Sequence, residues 1–233
     1  MENAESVGPP LSEELAAGLA HEIRNQLNSL HIHLGVLQRD LTQLPADGTA
    51  RIAAELSGIA RALSAIEDFL ADFLLYARPQ ALRPEPADVR ALVQELVAFL
   101  APEAAARGIT LSANVTDAPE RAELDTAQMK RALLNLVLNA IQATPSGGRV
   151  ELACGTAPEG WTLAVRDSGP GLPPHVRERL FSPFVSGGSG AGLGLAIARQ
   201  IVAAHGGKID VQSAARRGTE LRLTLPQRLA HHA

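Results

Sequence analysis

Apolar residues recur with a heptad-like spacing over the first third of the chain, and no other feature constrains the fold as strongly. Steps of three and four residues place them at positions 19, 23, 27, 30, 34, 37, 41 and 44, and again at 52, 56, 59, 63, 66, 70, 73 and 77. This spacing predicts two long amphipathic helices. The short break at residues 45–48 makes them antiparallel neighbours, so we expect a helical hairpin over residues 15–78 after a tail at 1–14.

A two-helix hairpin alone buries little apolar surface, so a stripe of this length needs a further partner. Pairing of two hairpins into a four-helix bundle satisfies it and predicts a homodimer. Packing of the hairpin against the rest of the same chain is the alternative, and we favour dimerisation.

His21 lies off this stripe, two residues before its next apolar position and about 200° away around the helix. It therefore faces solvent, on the same side as Asn25. An exposed helical histidine is usually an ordinary solvated residue, which is our interpretation of His31 and His33. His21 could instead be a nucleophile, because the neighbouring Glu22 can hold one ring nitrogen and fix the tautomer.

The rest of the chain differs from the hairpin in charge and in pattern. Residues 1–78 hold 11 acidic and 5 basic side chains, whereas residues 79–233 hold 14 and 16. A proline-rich stretch at 79–87 indicates a linker between the two parts. Residues 88–228 then alternate between helical and strand patterns, which predicts an α/β two-layer sandwich with helices on one face of a mixed sheet. The predicted helices are 88–107, 126–144 and 192–205, the predicted strands 109–115, 149–154, 161–167, 208–213 and 220–225, and the tail 229–233.

Composition excludes several classes of protein. No apolar run approaches the roughly 18 residues of a membrane span, and no basic stripe with interleaved aromatics indicates a nucleic-acid binder. The single cysteine, Cys154, excludes an internal disulfide and a multi-cysteine metal site. We expect a cytoplasmic protein.

A polar stripe follows one side of the otherwise apolar helix at 126–144, formed by Gln128, Arg131, Asn135, Asn139 and Gln142. A solvent-facing stripe is one interpretation. Such stripes usually carry Glu and Lys, however, and asparagine is a poor residue in the middle of a helix. The amides of Asn135 and Asn139, four residues apart, suit a magnesium ion and the phosphates that it bridges.

Asp167 ends a predicted strand in the same phase as the apolar residues at 161, 163 and 165. A carboxylate in that phase needs a partner, and the exocyclic amine of adenine is a natural donor. The glycines of the following turn, Gly169 and Gly171, would let a planar ligand approach the backbone. The alternative is that Asp167 caps this turn.

A glycine-rich run at 186–194 ends where an amphipathic helix begins, and free N–H groups at such a position favour phosphate. Because Gly190, Gly192 and Gly194 alternate with other residues and no Lys follows, the run matches neither G-x-x-x-x-G-K-[ST] nor G-x-G-x-x-G.

Together and in this order, the motifs resemble those of the sensor histidine kinases of two-component systems. The resemblance extends over residues 15–225 and rests on a phosphoacceptor box at 21–25, an asparagine box at 135–140, glycine boxes at 167–171 and 190–194, a phenylalanine box at 181–184 and a short final box at 218–219. It implies a dimerisation and phosphotransfer hairpin followed by a Bergerat-type ATP-binding domain.

The resemblance also implies roles for single residues. His21 would accept the γ-phosphoryl group, Glu22 would act as general base or orient the ring, and Asn25 would position water or phosphate for dephosphorylation of the partner. Asn139 would ligate Mg²⁺ with Asn135 nearby. Asp167 would recognise adenine, and the glycine loop would be a mobile lid. The remaining nucleotide contacts would come from Gly169, Gly171, Phe184, Gly190, Gly192, Leu193, Gly194 and Thr219.

The implied cofactors are ATP and Mg²⁺. The implied partners are a second copy of the chain, the receiver domain of a response regulator, and a separate sensor domain or protein, because about 14 residues before the hairpin are too few for a sensor.

Two departures from the family pattern keep other functions open. Gln26 stands where the family usually has a helix-kinking proline, and the lid lacks the lysine often found near Ser186, so an arginine or backbone amides must neutralise the phosphates. A catalytically weak dimeric scaffold or a response-regulator phosphatase is therefore one alternative. An ATPase of the same nucleotide fold is another, although such enzymes carry Glu where this chain has Asn135.

Overall fold

The computed structural model describes residues 23, 27–30, 32–37, 39, 48–77, 80–119, 121–158, 160–185, 192–215 and 217–227. The chain divides into two compact units, Met1–Arg78 and Pro79–Ala233. Among the described residues, no helix is both long and apolar enough to cross a bilayer.

The first unit is helical. Helix α1 spans Gly48–Ala77, and residues 27–30 and 32–37 are helical as well. His33 joins these two segments, because its Nδ1 lies 2.7 Å from Oε2 of Glu55. Its ring also packs over Gly58, where an added Cβ would lie 2.5 Å from a ring carbon. The His33 side chain is only 31% exposed, so our interpretation of it as a solvated residue is wrong. His31 lies outside the described residues.

Helix α1 buries one apolar side and exposes another. Ala62, Phe69 and Phe73 are buried, and the two phenylalanine rings lie 6.4 Å apart. A second stripe is 47–54% exposed, at Leu56, Leu63, Leu70 and Leu74. Steps of seven, seven and four residues keep these leucines on one side of the helix.

The second unit is an α/β sandwich. In chain order its elements are β1 Glu85–Ala87, α2 Val89–Ala106, β2 Thr110–Asn114, β3 Ala122–Leu124, α3 Thr126–Ala143, β4 Arg149–Ala157, β5 Gly160–Asp167, α4 Pro174–Glu178, α5 Gly194–Ala204, β6 Lys208–Ser213 and β7 Thr219–Leu225. Five strands form one sheet in the order β2-β4-β5-β7-β6. β2 runs parallel to β4 and the other pairs are antiparallel, which confirms the predicted mixed sheet.

Only one face of the sheet is buried, as the alternating burial along β4 and β5 shows. In β5 the inward residues Trp161, Leu163 and Val165 are almost completely buried, and Cys154 is buried on β4. Burial raises the pKa of the Cys154 thiol to about 11. The helices lie against this face, which confirms the two-layer sandwich predicted from the sequence.

Three short elements differ from the prediction. β1 pairs antiparallel with β3, so residues 85–87 belong to the folded unit, and the linker predicted over 79–87 is wrong there. Pro86 in this strand suggested a linker, although proline is tolerated in edge strands. The short helix α4 was not predicted. The helix predicted from residue 192 begins at Gly194, because Gly192 is left-handed, with φ 72°.

Candidate functional site

The start of α5 meets the middle of α3 at Asn135. A Cβ on Gly194 would lie 3.3 Å from Oδ1 of Asn135. The Nδ2 atom of Asn135 is buried and has no hydrogen-bond partner in the described part of the chain. The N-cap residue of α5, Leu193, makes no side-chain cap hydrogen bond, and the first N–H groups of the helix find no side-chain acceptor among the described residues. A buried amide donor beside the positive end of a helix is the chemistry that binds a phosphate oxygen.

Asn139 follows one helical turn after Asn135 and is partly buried. Within the described residues, no hydrogen bond or other interaction of its amide is found. Its oxygen is therefore available as a ligand for a hard cation such as Mg²⁺, which is usually bound by one or two protein oxygens together with substrate phosphates. In the described ranges, no three His, Cys, Asp or Glu side chains come together as an all-protein metal site. The residues present thus fit Mg²⁺ held jointly with a nucleotide.

One carboxylate oxygen of Asp167 accepts hydrogen bonds from the protein backbone. Its Oδ1 accepts hydrogen bonds from the N–H of Gly169 at 2.8 Å and of Thr219 at 3.2 Å. Burial raises the pKa of this carboxyl, opposed by these two hydrogen bonds. Oδ1 therefore caps the turn, which was the alternative that the sequence left open. Oδ2 accepts no hydrogen bond from any described residue and is available to a ligand amine.

The turn after Asp167 lies against the end of α3. A Cβ on Gly169 would lie 2.8 Å from the carbonyl oxygen of Ala143, the last residue of α3. Along the helix, Ala143 is eight residues from Asn135, or about 12 Å at 1.5 Å per residue. The helix α3 therefore contacts two parts of the candidate site. Asn135 meets the start of α5, and Ala143 meets the turn that follows Asp167.

Phe184 and Gly192 join the two ends of the glycine loop. The Phe184 N–H donates to the Gly192 carbonyl oxygen at 3.0 Å, and Phe184 is left-handed, with φ 61°. A Cβ on Gly192 would lie 2.7 Å from the Phe184 backbone, so only glycine fits there. Leu193 is buried and anchors the start of α5.

Gly171 is the one remaining predicted site residue that the structure describes. Gly171 is left-handed, and a Cβ there would collide with the carbonyl group of Ala214, so it shapes a turn against the end of β6. Four predicted site residues lie outside the described residues: His21, Glu22, Asn25 and Gly190.

Sequence reasoning missed His205, which is fully buried at the end of α5. The sequence did contain a signal for its burial. His205 follows Ile201 by four residues and Ile197 by eight, so it continues the apolar spacing of this helix.

This fold and this site define an ATP-binding domain of the Bergerat type. Residues 124–229 match the family of histidine kinase-, DNA gyrase B-, and HSP90-like ATPases.

Individual relatives indicate a narrower family than this match does, because they are named histidine kinases. The chain is 34% identical over 214 residues to the sensor histidine kinase ZraS of Klebsiella oxytoca, covering 91% of this chain and 45% of ZraS. It is 31% identical to the structure of the mycobacterial sensor histidine kinase MprB, with a TM-score of 0.57, covering 64% of this chain and 100% of that one. The structure of histidine kinase ThkA in complex with response regulator protein TrrA is 27% identical, with a TM-score of 0.72 and coverages of 92% and 61%.

The chain belongs to the sensor histidine kinases, which confirms the family resemblance of its motifs. It spans about half the length of the curated relatives that it matches.

Proposed function

We propose that this protein is an ATP-dependent histidine kinase that phosphorylates His21 and passes the phosphoryl group to an aspartate of a response regulator. The buried, unpartnered Nδ2 of Asn135 beside the uncapped start of α5 is the observation that carries the proposal. A buried donor without a partner is costly, and a nucleotide phosphate would supply the missing acceptor.

In this proposal, different residues contact the phosphates, the adenine and the metal ion of MgATP. Asn135 and the first N–H groups of α5 donate to phosphate oxygens, while Oδ2 of Asp167 accepts from the adenine amine. The amide oxygen of Asn139 holds Mg²⁺, which neutralises phosphate charge when bound. Phosphoryl transfer depends mainly on such positioning and charge neutralisation.

The proposed reacting residues belong to the hairpin predicted from the sequence, and their roles rest on the family resemblance. A ring nitrogen of His21 attacks the γ-phosphorus, an N–P bond forms, the bond to the β–γ bridging oxygen breaks, and ADP leaves. Glu22 accepts a hydrogen bond from the N–H of the other ring nitrogen and takes this proton as the ring becomes positively charged, which leaves a neutral phosphohistidine ring. Asn25 positions the water that removes the phosphoryl group from the partner.

Two further parts of the proposal concern partners. The half-exposed stripe of Leu56, Leu63, Leu70 and Leu74 supports a homodimer, because a second copy would cover it. A response regulator is supported by ThkA, which was solved with TrrA. A separate sensor domain or protein as the source of the signal, and a cytoplasmic location, are likewise proposals.

Incubation with γ-labelled ATP and Mg²⁺ tests the proposal. The wild-type chain and a His31→Gln control should acquire label that is lost in acid and kept in base, as a phosphoramidate requires. A His21→Gln variant should acquire none.

Equal labelling of the His21→Gln variant would contradict the assignment of His21. ATP binding without labelling would favour the scaffold or phosphatase, and released phosphate without labelled protein would favour the ATPase.

A further inference from the structure

His205 is buried at a position that the proposed chemistry does not use. It is 0% exposed, its Nδ1 lies 2.8 Å from the carbonyl oxygen of Ile201, and its Nε2 lies 3.0 Å from the backbone nitrogen of Asp125. A carbonyl oxygen only accepts and a backbone N–H only donates. Nδ1 therefore carries the proton and Nε2 accepts, so both partners fix one neutral tautomer.

This ring bridges the end of α5 to the start of α3. Asp125 is the N-cap of α3, and its Oδ1 accepts from the N–H of Gln128 at 3.0 Å. Its Oδ2 accepts from the N–H of Arg83 at 2.9 Å. Because two backbone N–H groups hold the Asp125 carboxylate, the bridge attaches α5 to a fixed residue at the start of α3.

The bridge and the candidate ATP site lie at opposite ends of the same pair of helices. The pair is antiparallel, because Asp125 meets His205 at one end and Asn135 meets Gly194 at the other. Ten residues of α3 and eleven of α5 separate the two contacts, which is about 15 Å on each helix at 1.5 Å per residue.

Apolar packing between these helices is non-directional, whereas a hydrogen bond is specific in distance and angle. Because α5 is one continuous helix, a shift of its end at the bridge would also move Gly194 at its start.

We propose that His205 is a positioning residue for the nucleotide site, which fixes the axial register of α5 on α3 and thereby the spacing of Asn135 and Gly194 around the ATP phosphates. This inference rests on the proposed function only in taking ATP as the ligand.

A matched pair of variants separates the bridge from the bulk of the ring. His205→Asn keeps a donor near Nδ1 for the Ile201 carbonyl but is too short to accept from Asp125. His205→Gln reaches further and places an amide oxygen near Nε2, so the acceptor is retained. Leu152→Ala is the stability control, because Leu152 is fully buried on β4 and takes no part in the bridge.

The readout is the Kd of MgATP by titration calorimetry on the full chain, beside the unfolding midpoint of each variant. His205→Asn should raise the Kd about tenfold, the equivalent of one lost buried hydrogen bond. His205→Gln and Leu152→Ala should stay within about twofold of wild type, although Leu152→Ala should unfold more readily.

Wild-type affinity in His205→Asn, or an equal loss in His205→Gln, would overturn the inference and leave the proposed function standing. A wild-type chain that binds no MgATP would overturn both.

A second measurement needs no variant. Coupling between two sites is reciprocal, so bound MgATP must strengthen the bridge and slow hydrogen exchange at the Asp125 amide of the wild-type chain. Exchange at the same rate with and without saturating MgATP would also overturn the inference.

Discussion

Asp167 divides its two carboxylate oxygens between the fold and the ligand. Oδ1 is held by the N–H groups of Gly169 and Thr219, which join the end of β5 to the turn and to β7. This fixed geometry aims Oδ2 without further side-chain support. One residue thus acts both as a turn cap and as a recognition group, and these two roles can be separated by substitution.

Asp167→Asn should remove recognition and keep the fold. The amide oxygen can still accept at the Oδ1 position, but the amide nitrogen would replace Oδ2 and place a donor against the adenine amine. We expect the Kd of MgATP to rise on the order of tenfold to a hundredfold, the range for a lost hydrogen bond to a charged group. Calorimetry measures the affinity, and the unfolding midpoint should change little.

The pH dependence of the same titration provides a control. Because burial raises the pKa of Asp167 above 3.8, protonation should weaken wild-type binding at a higher pH than an ordinary aspartate would, and the Asn variant should lack this component. Unchanged affinity in the variant at neutral pH would contradict the role of Oδ2.

At the scale of single elements, α1 has two apolar sides that differ in exposure. Phe69 and Phe73 lie on the buried side, whereas Leu63 and Leu70 lie on the exposed side. Two seven-residue steps separate Leu56 from Leu70. A seven-residue repeat keeps the same side of a helix facing its partner along a left-handed bundle.

Charged residues in the exposed leucine stripe of α1 should dissociate the proposed dimer into monomers. A Leu63→Asp, Leu70→Asp variant should sediment as a monomer and keep its helical circular dichroism, because two carboxylates would be buried at the interface. Ala54→Asp is the control, since Ala54 is exposed and lies about 180° around the helix from Leu63. A wild-type monomer, or a double variant that still sediments as a dimer, would contradict the proposal.

The sequence predicted the elements whose pattern repeats several times. The inward phase of β5 predicted the burial of Trp161, which is observed, and a partner for Asp167. Two backbone N–H groups contact its Oδ1, whereas the adenine partner stays a prediction. β1 and β3 were missed because three residues are too few to show a period, and Pro86 suggested a linker.

Contacts between residues that are far apart in the chain could not be predicted from the sequence either. The pairing of His33 with Glu55 depends on the space over Gly58, and the bridge from His205 to Asp125 spans 80 residues. Periodicity places such residues on a face of a helix, but it does not identify the residue that they meet.

At the scale of the whole molecule, two compact units divide at residues 78 and 79. Trp161, the sole tryptophan, is buried in the second unit, so its fluorescence reports that unit alone. Helical circular dichroism reports both units, because α1 belongs to the first.

MgATP should therefore stabilise one unit selectively. At 100 times its Kd, a ligand stabilises the folded state that binds it by about 2.7 kcal/mol, so the Trp161 transition should move to higher temperature. A transition of the first unit in circular dichroism should stay in place with MgATP and, if the proposed dimer forms through α1, should move to higher temperature as the protein concentration rises. A Trp161 transition that MgATP does not move would contradict nucleotide binding by the second unit.

The burial of Cys154 also makes the protein a convenient background for spectroscopic labels. Its thiol is enclosed in the sheet and its pKa is raised to about 11, so almost no reactive thiolate forms at neutral pH. A maleimide dye or nitroxide would then modify only cysteines introduced elsewhere, with the native residue left in place. One such cysteine in each unit would allow the separation of the units to be followed by energy transfer or electron resonance as nucleotide is added.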